Sequence, residues 1–544
     1  MSKVGIALDL GTSGFRAQAV DLADGKVIST AITARHPLPG SNVIDHVNYA
    51  IEIGEDSANS IIIETIDRLI GHLGVDPSGV TRVAVCGNPF QLSLFQNIEI
   101  RDLAYAGRRK LERLGVVPIQ RDGDVVPARD LGLNLAPSAE VLIPPAVGHE
   151  IGADALAMLL LTGAMEETEP CMVIDYGTNA EMALVVDGQV FTGSAAAGPA
   201  LEGQEIGMGM LAAPGAISDV AIAGRGWTNY VLDDEFIARE GDEVDPTNGS
   251  VRSQGPMHGR STGITGTGVI SALASGIETG LVISSKVGTP TRCLQMQDGV
   301  TLSESDVSEA GKAIGAIRAG YLTLMDKAGV WTDRVTTSFM SGATGLYVDA
   351  IKAQRIGLVP PGAEHIVQIG NTSLLMAREL VTEPDKLEEL RSFSKHLRST
   401  HCMFATSEMF KNIYSIELSL WSYGMPISAY NEMLAIYKLQ PIPMEPVEAT
   451  VVKRMERDIP DLGPMGMSIL DDIGIELTID VDECEGCRQC EKACREGAIR
   501  IIEDGERGRL AIIRSERCAG TACRRCEIVC RTKTLHLSRA RPFR

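Results

Sequence analysis

A duplicated α/β body followed by a small, cysteine-rich α+β domain is the fold class predicted by this 544-residue sequence. Three observations predict it. An apolar strand that ends in aspartate and turns through glycine and threonine occurs at Asp9 and again, 166 residues on, at Asp175. Eight of the twelve cysteines crowd between Cys484 and Cys530. The chain is also too long for one hydrophobic core, so two to four domains are expected. A hydrophobic content of 44% with 22% charged residues belongs to a folded chain, not a disordered one. The expected divisions are a first lobe over 1–165, a second over 166–438, a linker over 439–470 and the cysteine domain over 471–544. Pro441, Pro443, Pro446 and Pro460 mark the linker, because proline stiffens a segment and stops helices.

The first lobe opens on Val4–Ala17. Its strand ends in Asp9, and Gly11-Thr12-Ser13-Gly14 turns into a second strand, Phe15 to Val20. Such a turn lets backbone N–H groups approach phosphate oxygens, with the hydroxyls as extra donors. The strand-end carboxylate suits a hydrated Mg²⁺. A plain hairpin also uses Asp and Gly for turn geometry, so the recurrence carries the weight. Met172 to Leu184 repeats the strand, Asp175, then Gly177-Thr178-Asn179 and a second strand. Two such hairpins imply two half-folds that face one nucleotide, each with a phosphate loop. A third element, Val335 to Gly345, places the turn Gly342-Ala343-Thr344-Gly345 between a strand and the helical pattern Leu346 to Gln354, where adenosine would lie. Ahead of it, Ser303 and Asp306 form a capping box for an amphipathic helix over Glu304 to Ala328. Three motifs in this order point to ATP.

In the tail, the first cysteine run is Cys484-x2-Cys487-x2-Cys490-x3-Cys494, and the second is Cys518-x4-Cys523-x2-Cys526-x3-Cys530. Three closely spaced thiolates wrap one cubane, while the fourth is expected to begin a helix and point at the other cluster. One [4Fe–4S] cluster is thus assigned to Cys484, Cys487, Cys490 and Cys530. The other goes to Cys518, Cys523, Cys526 and Cys494. Strands are expected at Ile475–Ile479, Ala498–Ile502, Leu510–Arg514 and Thr534–Leu537, the pseudo-symmetric plan of a two-cluster bacterial ferredoxin. Zinc sites present paired C-x2–4-C knuckles with a longer gap, which these runs lack. Arg495 and Arg531 stand where proline often follows the fourth cysteine, and they alter the charge near the clusters. The four scattered cysteines, Cys86, Cys171, Cys293 and Cys402, are expected as free thiols.

The net charge of −21 disfavours nucleic acid as a partner. Asp471 to Glu506 holds twelve acids and four bases, whereas 507–544 holds two acids and eleven bases. Such a split tail offers a docking surface for a charged protein. Met1-Ser2-Lys3 runs straight into a strand, with no secretory signal pattern. The most apolar stretch, Ala153 to Met165, is short and interrupted by Asp154, so no membrane span is expected and the expected location is cytoplasmic.

The paired Asp-x-Gly-Thr hairpins and the later glycine turn resemble the motifs of the acetate kinase, sugar kinase, Hsp70 and actin superfamily. That resemblance implies duplicated, ribonuclease H-like ATPase lobes. Ser194 to Gly203, Gly263 to Gly268, Ile369 to Ser373 and Val85-Cys86-Gly87-Asn88-Pro89 are similar to the ATPase core of corrinoid-protein reductive activators. The bacterial branch carries an N-terminal [2Fe–2S] domain. The C-terminal two-cluster arrangement here resembles the archaeal RamA-type activases of methylamine methyltransferase systems. The resemblance implies ATP-dependent reduction of a corrinoid protein from Co(II) to Co(I), a low-potential electron donor, and Mg²⁺ near Asp9 and Asp175. An activase of a radical dehydratase, a sugar kinase-like phosphotransferase with a redox sensor, and an ATP-binding redox sensor are the alternatives. Fusion of clusters to an ATPase itself implies an electron transfer that does not proceed unaided. Each 100 mV uphill costs roughly 2.3 kcal/mol per electron.

Overall fold

The first strand, Val4–Leu10 (β1), is buried along almost its whole length, as an apolar run covered on both faces should be. It pairs antiparallel with Phe15–Asp21 (β2), which pairs antiparallel with Val27–Thr33 (β3). Parallel to β1 on its other side runs Val80–Gly87 (β4). The computed structural model describes residues 3–40, 42–105, 107–148, 151–177, 179–195, 199–203, 205–443, 445–471, 473–505 and 508–542. With Asp124–Pro127 (β5), Glu140–Ile143 (β6) and Met467–Leu470, these strands make a seven-stranded sheet. Its order is Met467–Leu470, β3, β2, β1, β4, β6, β5. Helix Val43–Ile53 (α1) and helix Glu55–Gly71 (α2) follow β3, and α2 buries Ile61, Ile62, Ile66 and Leu69. Helix Pro89–Phe95 (α3) follows β4.

A second sheet repeats the plan. Cys171–Tyr176 (β7), Ala180–Val186 (β8) and Gln189–Ala195 (β9) pair antiparallel in sequence. Thr337–Ser341 then lies parallel to β7, His365–Gln368 parallel to that, and Thr450–Lys453 parallel at the edge. Three antiparallel strands followed by parallel ones, the first strand of each set central, is the duplication the two hairpins foretold. The long helix occupies Glu304–Ala328 with both bonds of the Ser303–Asp306 capping box present, and it stops at Gly329. On it, the buried Arg318 meets Glu417 through two 2.6 Å hydrogen bonds.

The chain divides into two compact units, 1–157 with 373–398 and 461–544, and 158–372 with 399–460. This differs from the division expected from sequence. The segment 439–470, expected as a linker, contributes Thr450–Lys453 to one sheet and Met467–Leu470 to the other. Neither stretch contains a proline. Pro441, Pro443, Pro446 and Pro460 fall outside them, where no ladder hydrogen bond is needed. The helical pattern Leu346–Gln354 is also broken in two, as Gly342–Tyr347 and Ala350–Arg355, because Asp349 caps the second helix with its side chain.

The cysteine domain is a four-stranded sheet in the order Ile499–Asp504, Gly508–Arg514, Glu476–Asp480, Arg541–Pro542, antiparallel throughout. Thr534–Leu537, expected as a strand, is none. The Thr532 and Thr534 hydroxyls lie 3.0 Å apart and 3.6 and 4.0 Å from Cys530 Sγ, so the backbone curls around that sulfur instead. Cys494 and Cys530, expected to begin helices, follow them: Gln489–Ala493 precedes the first and Arg525–Ile528 the second. Within its unit this domain is tied to the first lobe. Ser515 Oγ donates to Pro37 O at 2.8 Å, Gly40 N donates to Cys518 O at 2.9 Å, and Thr65 Oγ1 donates to Ile473 O at 3.2 Å.

Candidate functional site

At the first hairpin, Asp9 pairs with Arg16 across the ladder, and Leu10 with Phe15, leaving Gly11, Thr12, Ser13 and Gly14 as the connecting turn. Asp9 is buried, and its Oδ2 accepts from Arg16 Nη1 at 3.0 Å. Beside it on β4, Cys86 pairs with Asp9 and Gly87 with Leu10. The chain then turns into α3, capped by Asn88, whose Nδ2 donates to Thr12 Oγ1 at 3.1 Å. A hydroxyl that accepts in this way keeps its own proton for another acceptor. Asp154, at the start of helix Ala153–Leu161, completes this cluster. Burial, together with the charge of Asp9, raises the Asp154 carboxyl to about 6, and burial with the charges of Asp154 and Asp9 raises the Cys86 thiol. A cation near Asp9 would therefore relieve two acids at once.

At the second hairpin, Asp175, the penultimate residue of β7, lies opposite Glu181, and Tyr176 opposes Ala180. Gly177 N donates to Asn179 O at 3.3 Å to close the turn, while Thr178 lies outside the described residues. Ser341 sits next to Asp175 in the parallel register, so the chain leaves that strand at Gly342 directly against the Asp175 carboxylate. Gly342 has φ +79°. Gly345 packs on the Tyr176 ring, and Ala343 and Thr344 lie between the two glycines in helix Gly342–Tyr347. The second hairpin and the later glycine turn are thus one structure. Gly266 likewise presses on the Leu201 carbonyl with no room for a side chain, which joins 263–268 to 199–203.

Among the described residues of the tail, the cysteines line two cavities. Cys484, Cys487, Cys490 and Cys530 line one, and Cys494, Cys518, Cys523 and Cys526 line the other. The fourth cysteine of each run lines the same opening as the other run's first three. Four sulfurs around one opening is a donor set for a cubane cluster. The surroundings differ. In the first cavity Gly486 N donates to Cys484 Sγ at 3.4 Å. Burial raises the Cys530 thiol, but hydrogen bonds from the Leu535 and Thr534 backbone and from the Thr532 and Thr534 hydroxyls outweigh it and lower its pKa. In the second cavity Arg525 Nε lies 3.1 Å from Cys523 Sγ and its Nη2 donates to Glu496 at 2.6 Å. Burial raises the Cys518 thiol to about 11 and the Cys526 thiol to about 12. Tyr49 on α1 is buried, its hydroxyl has no partner among the described residues, and burial and the Cys518 charge oppose its ionisation. A buried donor near a thiolate suits a cluster sulfur as acceptor. Cys86 and Cys171 are buried and Cys293 and Cys402 half-buried, each outside any disulfide.

Asp154 was read in the sequence only as the residue that interrupts an apolar run. That interruption was the available signal, since an acid in a buried helix needs a partner. No signal in the sequence marked Tyr49.

Residues 4–167 match the RACo middle region, 169–431 the C-terminal domain of RACo, the ASKHA domain, and 477–500 a 4Fe-4S binding domain. Among solved structures, a reductive activator for corrinoid, iron-sulfur protein superposes with a TM-score of 0.62 at 25% identity, covering 77% of this chain and 66% of that one. The corrinoid activation enzyme RamQ of Eubacterium limosum is 26% identical over 392 residues, 65% of this chain and 60% of its own. The Co(II) methylated amine-specific corrinoid protein reductase of Methanosarcina barkeri is 49% identical over 520 residues, 95% of each chain. The body is therefore an ASKHA domain and the tail a 4Fe–4S ferredoxin domain. At that identity over nearly the whole length, the chain belongs to the family of the Co(II) methylated amine-specific corrinoid protein reductase.

Proposed function

We propose that this chain reactivates a corrinoid protein of a methylamine methyltransferase system by reducing its cobalt from Co(II) to Co(I) in an ATP-dependent reaction. The observation that carries this reading is the sorting of eight cysteines into two fours, in a chain of this family whose body repeats the Asp-x-Gly-Thr hairpin. Bound clusters carry single electrons at low potential, and ATP chemistry supplies the drive for an uphill transfer. Cys484, Cys487, Cys490 and Cys530 hold one [4Fe–4S] cluster, and Cys494, Cys518, Cys523 and Cys526 hold the second. Asp9 and Asp175 hold hydrated Mg²⁺. Gly11, Thr12 and Ser13, and Gly177, Thr178 and Asn179, present N–H and hydroxyl donors to the phosphates, while Gly342 to Gly345 lie toward the adenosine. A low-potential donor protein fills the clusters, and the cytoplasm is the site of action. No helix among the described residues is long and apolar enough to cross a membrane.

The test is anaerobic absorbance of a Co(II) corrinoid protein of the methylamine type mixed with this protein and a low-potential reductant. The Co(I) spectrum is expected only when ATP and this protein are both present. Conversion without ATP, or none with monomethylamine, dimethylamine and trimethylamine partners despite intact clusters, would refute the reading.

A further inference from the structure

Between the first phosphate loop and the second cysteine cavity runs a chain of hydrogen bonds, buried at its centre and continued by a helix and a loop, that the proposed chemistry does not use. It starts where Asn88 Nδ2 donates to Thr12 Oγ1 at 3.1 Å. Asn88 Oδ1 in turn accepts from Gln91 N at 2.9 Å. The Gln91 side chain, 0% exposed, then forks to two histidines. Its Oε1 lies 3.1 Å from His36 Nε2, and its Nε2 lies 3.1 Å from His46 Nδ1. Leu38 N donates to His36 Nδ1 at 3.1 Å, so the ring proton sits on Nε2. Gln91 Oε1 therefore accepts from His36, and the amide donates to His46. Every proton in the fork has one place. The imidazoles stack at 3.8 Å. Burial lowers His36 to about 3 and, with the charge of His36, holds His46 well below its usual range. Burial thus favours the neutral form of both rings.

From the histidines two routes reach the tail. The loop after His36 supplies Pro37 O to Ser515 Oγ at 2.8 Å and Gly40 N to Cys518 O at 2.9 Å. Helix α1 carries His46, Tyr49 and Glu52 three residues apart, hence along one face. Tyr49 is the buried, unpartnered hydroxyl in the field of Cys518, and Glu52 receives Arg524 Nη2 at 2.8 Å on both oxygens. One helix face and one loop thus span from the amide fork to the segment bearing Cys518 and Cys523.

We propose that Gln91 is a positioning residue that couples nucleotide at Thr12 to the cluster held by Cys494, Cys518, Cys523 and Cys526, through His36, His46 and α1. This rests on the ATP and cluster assignments above. A phosphate oxygen that takes the Thr12 proton fixes the hydroxyl, and with it the Asn88 amide, the start of α3 and the fork. The segment packed on Cys518 follows. Coupling of two binding equilibria is reciprocal, so a shift of cluster potential by ATP requires an equal shift of ATP affinity by cluster oxidation state. To favour onward transfer ATP must lower the potential, and it must then bind the oxidised protein more tightly.

The experiment is anaerobic calorimetry of ATP binding to the full chain, oxidised and dithionite-reduced, for wild type and Gln91→Met. In wild type, ATP is expected to bind the oxidised form about tenfold more tightly, a ratio equivalent to about 59 mV for one electron. Gln91→Met is expected to keep its iron and bind ATP with a ratio near one. A variant that keeps the wild-type ratio overturns the proposal. So does a wild-type ratio of one in a protein that still reduces corrinoid with ATP, and there the proposed function stands. Wild type that binds no ATP sinks both. Hydrogen exchange on wild type alone decides the matter if the variant fails to fold. ATP is expected to slow exchange in 36–52 and 515–520, and no change in either segment overturns the coupling.

Discussion

The double variant Cys494→Ala/Cys523→Ala is expected to retain one [4Fe–4S] cluster, and Cys494→Ala/Cys487→Ala to retain none. Both pairs remove two cysteines and share Cys494, so the outcome depends only on how the cysteines are shared. Sequential ligation would put Cys494 with Cys484, Cys487 and Cys490, and the results would be reversed. In the structure Cys494 lines the cavity of Cys518, Cys523 and Cys526. The first pair therefore strips one cavity and leaves Cys484, Cys487, Cys490 and Cys530 complete, whereas the second damages both. Iron is expected to fall from about eight per chain to about four and about zero respectively. Anaerobic iron analysis with the visible absorbance measures this. Retention of one cluster by the second pair and loss of both by the first would overturn the crossed assignment. ATP-dependent cobalt reduction is expected to vanish in both variants, since an interrupted electron route is not restored by positioning.

What the sequence disclosed was whatever depends on short spacing. The cysteine runs, x2, x2, x3 and x4, x2, x3, set three sulfurs close together and the fourth apart, and each fourth cysteine lines the opening of the other run. The Asp-x-Gly-Thr hairpins are local too, and so is the capping box at Ser303. Features decided by partners far along the chain stayed hidden. Thr534–Leu537 has strand-like residues, but the hydroxyls near Cys530 bend it. Prolines around 450–453 and 467–470 read as a linker, though edge strands need pairing on one side only and tolerate such neighbours. Asp154 and Gln91 are ordinary helix residues in sequence. They acquire meaning only when β1 and β4 bring Asp9, Cys86 and Asn88 together.

Gly342→Ala is expected to abolish ATP-dependent activity while leaving the clusters intact. Two effects act at this position. The backbone has φ +79°, where a side chain costs about 1–2 kcal/mol. The added methyl would also meet the Asp175 carboxylate head-on, so one of the two must move. If Asp175 holds the cation as proposed, displacing its carboxylate by about 1 Å lowers the rate on the order of 100-fold. Asp175→Asn separates geometry from charge, because it keeps the shape and removes the anion that the Mg²⁺ assignment requires. A loss of at least about 100-fold is expected there as well, from the several kcal/mol that a metal ion contributes to charge stabilisation. Rates of Co(I) formation at saturating ATP, with iron content as the control for folding of the tail, give the answer. If Asp175→Asn kept full activity, Asp175 would hold no essential cation. A loss in Gly342→Ala alone would then mark that glycine as a requirement of the fold around β7 and not of nucleotide chemistry.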